Sequence, residues 1–472
     1  MKVQTLRVRL LGKCRGFHKV GLRSGISPIG YARRLVCYLI KGAGFMKSLG
    51  KKNWLLGASA VAALLATSVA SGAELKVLPP SAGAYHGVFA NIPEFPVAGD
   101  VKRLTTSFET LVGKEVALTI VGDEWINGIK FPTALVNDAK AEGKVPVVHI
   151  RPWSVKTKFL GEDARYSLQR IIDGRFDNEL RVYARAVKDH LGPVMISFAP
   201  EANGEWYPWS GSFAGAGVTT SYGDRTVADG PERYRDAYRH LINIFRSERV
   251  ENATWVFHVS SGSAPVAAWN NLAAYYPGND YIDWLAVSVY SAQVASDYWY
   301  DFTAGLDAPY SELALLSPDK PIAVLEYGTI EDRQSPFRKS DWMTAALTSV
   351  KGGQYPRVKA MAYWHEQAWL PFENNDMRVS SSPEALNSYK TEIADDFFVS
   401  EALLSGPIPV DNDCLCGWVT SNSIRYCAIW KPGDATVREQ RRFGDCYIEI
   451  CKQLFSPDTV QNYCGGKIKM AQ

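Results

Sequence analysis

Between Glu74 and about Phe397 the chain alternates short apolar runs with longer stretches of helical period. Eight runs have the length and the β-branched or aromatic content of strands. They are Tyr85–Asn91, Glu115–Val121, Val145–Ile150, Val194–Phe198, Thr254–Val259, Trp284–Val289, Ile322–Leu325 and Lys359–Tyr363. Several are almost continuously apolar, the pattern of parallel strands covered on both faces. A helix is predicted from Asp177 as its N-cap, with Leu180, Ala184, Val187 and Leu191 on one face. Another begins at Pro231, a favoured first helical residue, and lines up Tyr234, Tyr238, Leu241 and Phe245. Eight such units in about 320 residues predict an α/β fold, a TIM (β/α)8 barrel over residues 74–400. The competing architecture is a doubly wound open sheet. No glycine-rich phosphate loop follows the first strand, which counts against it. Residues 211–230, rich in Gly, Ser and Thr, read as a long loop over the face where the strands end.

The two ends of the chain depart from this pattern. Residues 1–45 hold ten Lys or Arg and no acid, and are expected to be an upstream segment outside the folded protein. From Met46, Lys47, Lys51 and Lys52 precede an apolar stretch from Trp54 to Ala70, and Ser71 and Ala73 stand at the spacing of a cleavage site before Glu74. Residues 46–73 therefore read as a secretory signal peptide. The rival is an uncleaved membrane anchor behind a basic arm. The apolar stretch falls short of the roughly 20 residues that cross a bilayer, so a secreted protein, extracellular or periplasmic, with no membrane span in its mature form is expected. Near the other end, residues 401–412 have a linker composition, with Gly406-Pro407-Ile408-Pro409. Residues 413–472 hold Cys414, Cys416, Cys427, Cys446, Cys451 and Cys464, a small disulfide-rich C-terminal module with its pairing open. Zinc is the alternative for these cysteines, and no His lies near them.

Charge changes with processing. Residues 1–73 contain 13 of the 52 Lys and Arg and none of the 49 Asp and Glu, so their removal takes the formal charge from +3 to −10. An acidic surface does not suit nucleic acid and favours a neutral substrate over a polyanion. A monomer is expected, with no cofactor and no metal: no His/Asp cluster is visible at the strand ends.

In a TIM barrel the chemistry sits at the C-terminal ends of the strands. The fourth strand runs out into Pro200-Glu201-Ala202-Asn203-Gly204-Glu205-Trp206-Tyr207-Pro208-Trp209, and the seventh into Glu326-Tyr327-Gly328. Strands four and seven face each other across a barrel mouth, so Glu201 and Glu326 can flank one glycosidic bond. Retaining hydrolysis uses such a pair, one carboxylate as nucleophile and the other as acid and then base. Glu201, set among Pro200, Trp206 and Trp209, has the apolar surroundings that keep a general acid protonated. Glu326 is the nucleophile in this reading, with Tyr290 at the end of the sixth strand placed to donate to it. The bland alternative is a pair of ordinary charges at loop starts.

The segment around Glu201 resembles the acid/base motif of glycoside hydrolase family 26, a clan A group of β-mannanases, β-1,3-1,4-glucanases and xylanases. Further matches follow in order: Ile172-Asp173-Gly174-Arg175-Phe176-Asp177, then Tyr281-Ile282-Asp283-Trp284 leading into Val287-Ser288-Val289-Tyr290, then Glu326-Tyr327-Gly328, then Ser380-Ser381-Ser382-Pro383-Glu384-Ala385-Leu386. Pro200 stands where the family usually has His, and Ala202 where it has Met. The resemblance implies an endo-acting retaining enzyme on a β-linked polysaccharide, β-1,4-mannan first. Mixed-linkage glucan, xylan or a microbial exopolysaccharide is the alternative, and the departure at Pro200 raises that of a non-catalytic carbohydrate-binding barrel.

Further candidates for substrate binding lie at the same end. Trp364 closes the eighth strand as a platform for a sugar ring or as a rim residue of the core. Trp206 and Trp209 either line the cleft or pack beneath the long loop. Arg151 and Trp153 follow the third strand and His258 ends the fifth. Arg151 is alternatively an ion-pair partner, His258 a buried structural histidine, and Asn203 a residue that fixes its own turn. Glu205 and Glu366 are rival carboxylates, and Asp283, at the opposite end of its strand, reads as structural.

Overall fold

The computed structural model describes residues 74–406, apart from 94, 157, 336–337 and 368–374. The expected signal peptide and the cysteine-rich module lie outside the described residues. Eight parallel strands close into a barrel: β1 (Ala84–Phe89), β2 (Leu118–Glu124), β3 (Val145–Arg151), β4 (Val194–Phe198), β5 (Ala253–Ser260), β6 (Trp284–Tyr290), β7 (Ile322–Gly328) and β8 (Val358–Trp364). Closure is the pairing of β1 with β8, in register from Tyr85 against Ala360 to Phe89 against Trp364. Gly87 permits it, because a Cβ there would sit 3.0 Å from the Cβ of Ala362 and 3.2 Å from that of Leu118.

Alternation along the strands places the chemistry. The inward positions read Val145-Val147-His149-Arg151 on β3, Val256-His258-Ser260 on β5 and Trp284-Ala286-Ser288-Tyr290 on β6. They are apolar at the start of each strand and polar towards its end. The outward positions, such as Val148, Ile150, Phe257, Val259, Val287 and Val289, pack under the helices. Strand β7 breaks the alternation. Val324 pairs with Val287 but Glu326 pairs with Ser288, so Leu325 has no opposite number on β6. This β-bulge lets Glu326 face inward directly after inward-facing Leu325.

The predicted and observed elements differ in ways that have causes. Strand β2 runs three residues later than expected. Its polar end is carried because the Tyr183 hydroxyl donates to Asp123 at 2.9 Å and Arg151 to Glu124 at 2.8 Å. The helix Asp177–Asp189 is preceded by Phe176, so Asp177 is its first residue rather than its cap and accepts from His240 at 2.7 Å. Leu191 lies beyond that helix in a left-handed turn, and Tyr183 takes its place on the buried face. The helix after the long loop begins at Asp229, two residues before Pro231, and buries Tyr234, Tyr238, Leu241 and Phe245 as expected.

The start of the expected linker is part of the fold. Leu403–Leu404 pair antiparallel with Val77–Leu78. Beside this ribbon, Lys76 Nζ donates to the carbonyl of Ala253 at 2.7 Å and to Asp283 at 2.9 Å, and Trp284 Nε1 donates to the carbonyl of Val77 at 2.8 Å. Those partners begin β5 and β6, so the ribbon covers the N-terminal end of the barrel. Asp283 is structural, as its position indicated.

Candidate active site

The turn that leaves β4 is built on strained backbone. Ala199 and Glu201 both adopt left-handed conformations, φ 49° and 60°, on either side of Pro200. Each such residue costs on the order of 1 kcal/mol. Neighbouring bonds hold them there. The Ala199 N–H extends the ladder to Ile150 at 2.8 Å, the Glu201 N–H donates to His258 O at 2.9 Å, and Trp209 Nε1 donates to the Pro200 carbonyl at 2.7 Å. The chain then folds back, and Trp206 Nε1 donates to Glu201 Oε2 at 2.8 Å. Gly204 makes the fold-back possible, because a Cβ on it would run into the Trp206 ring.

Glu326 is held from three sides. Tyr290 donates its hydroxyl to Oε2 at 2.8 Å. His149 Nδ1 lies 3.3 Å from Oε1. The Arg151 guanidinium is close enough to favour its charge. Arg151 is itself clamped by Glu124, which accepts from its guanidinium at 2.8 Å and also from Trp153 Nε1.

The two carboxylates are almost equally buried, Glu201 at 8% and Glu326 at 7% exposure, yet their acidities diverge. Burial first, and the Glu326 charge second, push Glu201 up to about 7. Burial alone would raise Glu326 as well; His149, His258 and Arg151 outweigh it and hold that carboxyl well below the usual range. The arrangement thus keeps one carboxyl protonated beside one carboxylate near neutral pH. Lys158 adds a third titrating group. It lies 5.0 Å over the Tyr207 ring, and its burial lowers it to about 7 against the pull of Glu201.

Other candidates take positions that the sequence left open. Tyr290 donates to Glu326 from the position expected of it, Arg151 is the ion-pair partner of Glu124, and Trp206 donates to Glu201. Trp364 ends β8 with Phe89 stacked on it at 4.0 Å and its Nε1 donating to Glu366 at 2.7 Å, so the rival Glu366 is spent on the ring. Glu205 is exposed. His258 is a buried inward histidine whose Nε2 lies 2.9 Å from Ser288 Oγ.

Three of the candidates for substrate contact are buried and engaged by protein groups. Trp209 is 1% exposed, stacked on Tyr207 at 4.6 Å, and packs beneath the loop. Trp153 is buried against Trp209 and Tyr207. Asn203 is also 1% exposed, and both ends of its amide are used: Nδ2 donates to Ser260 O at 3.0 Å and to Ser263 Oγ at 3.3 Å, while Oδ1 accepts from Ser260 N at 2.9 Å. Asn203→Ala leaves Ser260 N–H unpaired and is expected to cost about 2 kcal/mol, read as a lower midpoint in urea unfolding. An unchanged midpoint would return Asn203 to the group that touches substrate.

Sequence reading missed His149, Glu124 and Ser288. The signal was available for two of them: His149 is two residues before Arg151 and Ser288 two before Tyr290, hence on the same faces. Two histidines and a carboxylate also converge where the sequence showed no cluster. One donor atom each from His149, His258 and Glu326 lies within 4.8 Å of the other two. These residues are far apart in sequence, and only barrel closure collects them.

The family model for glycosyl hydrolase family 26 matches residues 158–318. A curated relative, endoglucanase H of Acetivibrio thermocellus, is 26% identical over 290 residues, 61% of this chain and 28% of its own length. Over residues 158–318 the chain is similar to glycosyl hydrolase family 26. A second relative, mannan endo-1,4-beta-mannosidase A and B of Caldalkalibacillus mannanilyticus, is 29% identical over 184 residues, 38% of this chain and 30% of its own length. The chain thus spans under a third of the length of these curated relatives. Among solved structures, the catalytic domain of the Bacillus sp. JAMB-750 GH26 endo-beta-1,4-mannanase is 17% identical, with 67% of this chain and 87% of that one covered and a TM-score of 0.49. Glu201 lies inside the family 26 match and Glu326 beyond its end.

Proposed function

We propose that this chain is a retaining endo-β-glycosidase that cuts a β-linked polysaccharide, β-1,4-mannan first. The observation that carries the proposal is the buried pair on β4 and β7 with opposed acidities, Glu201 raised to about 7 and Glu326 lowered. A double displacement needs that division. In the first step Glu326 attacks the anomeric carbon while the Glu201 proton passes to the departing glycosidic oxygen. That bond breaks, and a glycosyl ester forms on Glu326. In the second step the Glu201 carboxylate takes a proton from water, the water oxygen bonds to the anomeric carbon, and the ester bond to Glu326 breaks. Tyr290, Arg151 and His149 keep Glu326 ionised and aimed; Trp206 fixes the Glu201 carboxyl.

The choice of mannan is supported by the curated relative named as a mannan endo-1,4-beta-mannosidase, and the one named as an endoglucanase keeps β-glucans as the alternative. The signal-like residues 46–73 support secretion. The test is turnover on β-mannan, mixed-linkage glucan, xylan and microbial exopolysaccharides, with the anomer of the first product followed by NMR. The expected product keeps the β configuration. An α product, or no turnover of any β-glycan, sinks the reading.

The same division sets a pH profile. Glu201 must carry its proton in the first step, so kcat/KM falls as pH rises through about 7. Glu326 must be ionised, and its acidity lies below the usual range, so the acidic limb falls below the pH at which an ordinary carboxyl titrates. Initial rates on an activated glycoside between about pH 3 and pH 9 would show the fall through neutrality and, towards acid, no loss where an ordinary carboxyl titrates. A profile flat through neutrality would remove Glu201 as the acid.

A further inference from the structure

Beneath the two carboxylates the barrel interior holds histidine nitrogens to which the hydrolytic scheme gives no proton to carry. His149 is fully buried; its Nδ1 faces Glu326 Oε1 at 3.3 Å and its Nε2 has no hydrogen-bond partner. His258 is 1% exposed and leaves Nδ1 without a hydrogen bond, its Nε2 being engaged by Ser288. An imidazole ring in its neutral form offers one nitrogen lone pair. An orphaned buried nitrogen is costly unless something binds it. The ring centroids are 5.1 Å apart, and one donor atom from each ring lies within 4.8 Å of a Glu326 oxygen.

We propose that His149, His258 and Glu326 form a binding site for one divalent transition-metal ion, zinc(II) in the first instance, and that its occupancy stops hydrolysis. Metal–donor bonds of about 2 Å separate tetrahedral ligand atoms by roughly 3–4 Å. The observed spacing reaches that range with small side-chain adjustments, and His149 Nδ1 already lies 3.3 Å from Glu326 Oε1. Two imidazoles and one carboxylate suit zinc, cobalt, nickel or copper, whereas magnesium and calcium take sets of oxygens. Ser288 serves as the outer partner that orients the His258 ring. Arg151 opposes a cation here, but its charge is paired with Glu124. The carboxylate that ligates the metal is the one that attacks the sugar, so binding and turnover exclude each other. The inhibition rests on the reading of Glu326 as nucleophile; the metal site does not.

The experiment is a cobalt(II) and zinc(II) titration of the full chain, followed by the visible absorption of bound cobalt and by calorimetry, alongside turnover of β-mannan. The wild type is expected to bind one ion at this site, with an intense cobalt band of low coordination number. Glu326→Gln, which keeps the size of the side chain, should weaken that binding by roughly tenfold or more, and His258→Gln likewise. Zinc should reduce the rate reversibly, with EDTA restoring it and oligosaccharide competing. No uptake by the wild type, or equal affinity in wild type and Glu326→Gln, would overturn the site. Should the histidine variant not fold, the Glu326→Gln comparison decides alone. Uptake that depends on Glu326 with turnover untouched would support the site and remove Glu326 as nucleophile, and failure on every β-glycan leaves the titration readable by itself.

Discussion

Glu326→Ala is expected to lose turnover on β-glycans by roughly four orders of magnitude or more, with the fold intact. The side chain lies at the C-terminal end of β7, and of its partners Arg151 keeps its bond to Glu124. Azide should restore part of the rate. A small anion fits the space of the lost carboxylate and attacks the anomeric carbon from the same side, and with no second displacement the glycosyl azide has inverted configuration. Circular dichroism checks the fold, and NMR of the azide product checks the stereochemistry. Retention of most of the wild-type rate by the variant would remove Glu326 from the chemistry.

The second large effect is at Glu201. Glu201→Ala should reduce turnover of natural polysaccharide by about 10²- to 10⁴-fold. Aryl glycosides with acidic leaving groups should lose far less in the first step, because a good leaving group departs without a proton. The ester on Glu326 should then accumulate, since the base of the second step is gone, and a burst of phenolate followed by a slow steady state is the expected trace. Trp206 donates to the Glu201 carboxyl in the wild type, and Glu201→Gln keeps a partner for it, so comparison of the two variants separates lost proton transfer from a disturbed loop. An equal loss on good and poor leaving groups would contradict the role.

The strands were legible because burial on both faces leaves continuous apolar runs, as in Val145–Ile150 and Trp284–Val289. Ends of strands were harder to read, because polar residues there are paired by groups remote in sequence. Asp123 is carried by Tyr183 and Glu124 by Arg151, and nothing local announces either partner. Both carboxylates were visible from motif and position. Their unequal acidity was half visible: the apolar run around Glu201 is local, but the groups that hold Glu326 down come from β3, β5 and β6. The bulge at Leu325 could not be read, since register is a relation between two strands. Trp209 and Asn203 stayed open between substrate contact and packing for a related reason. A loop rich in aromatic residues looks like a sugar-lined cleft until its own folding back shows which rings lie beneath it.

The ribbon formed by Val77–Leu78 and Leu403–Leu404 has a practical consequence. Both ends of the described fold emerge side by side beneath the barrel, with Ser405 N–H donating to the carbonyl of Lys76 at 2.9 Å. A short peptide linker joining them would create a circular permutant, with new termini opened in an exposed surface loop such as Gly352–Gly353. Such a chain should retain its hydrolytic cleft. The same geometry means that a surface tether fixed at either end of the fold would turn the cleft outward, so an immobilised preparation would present its mouth to insoluble glycan instead of to the support.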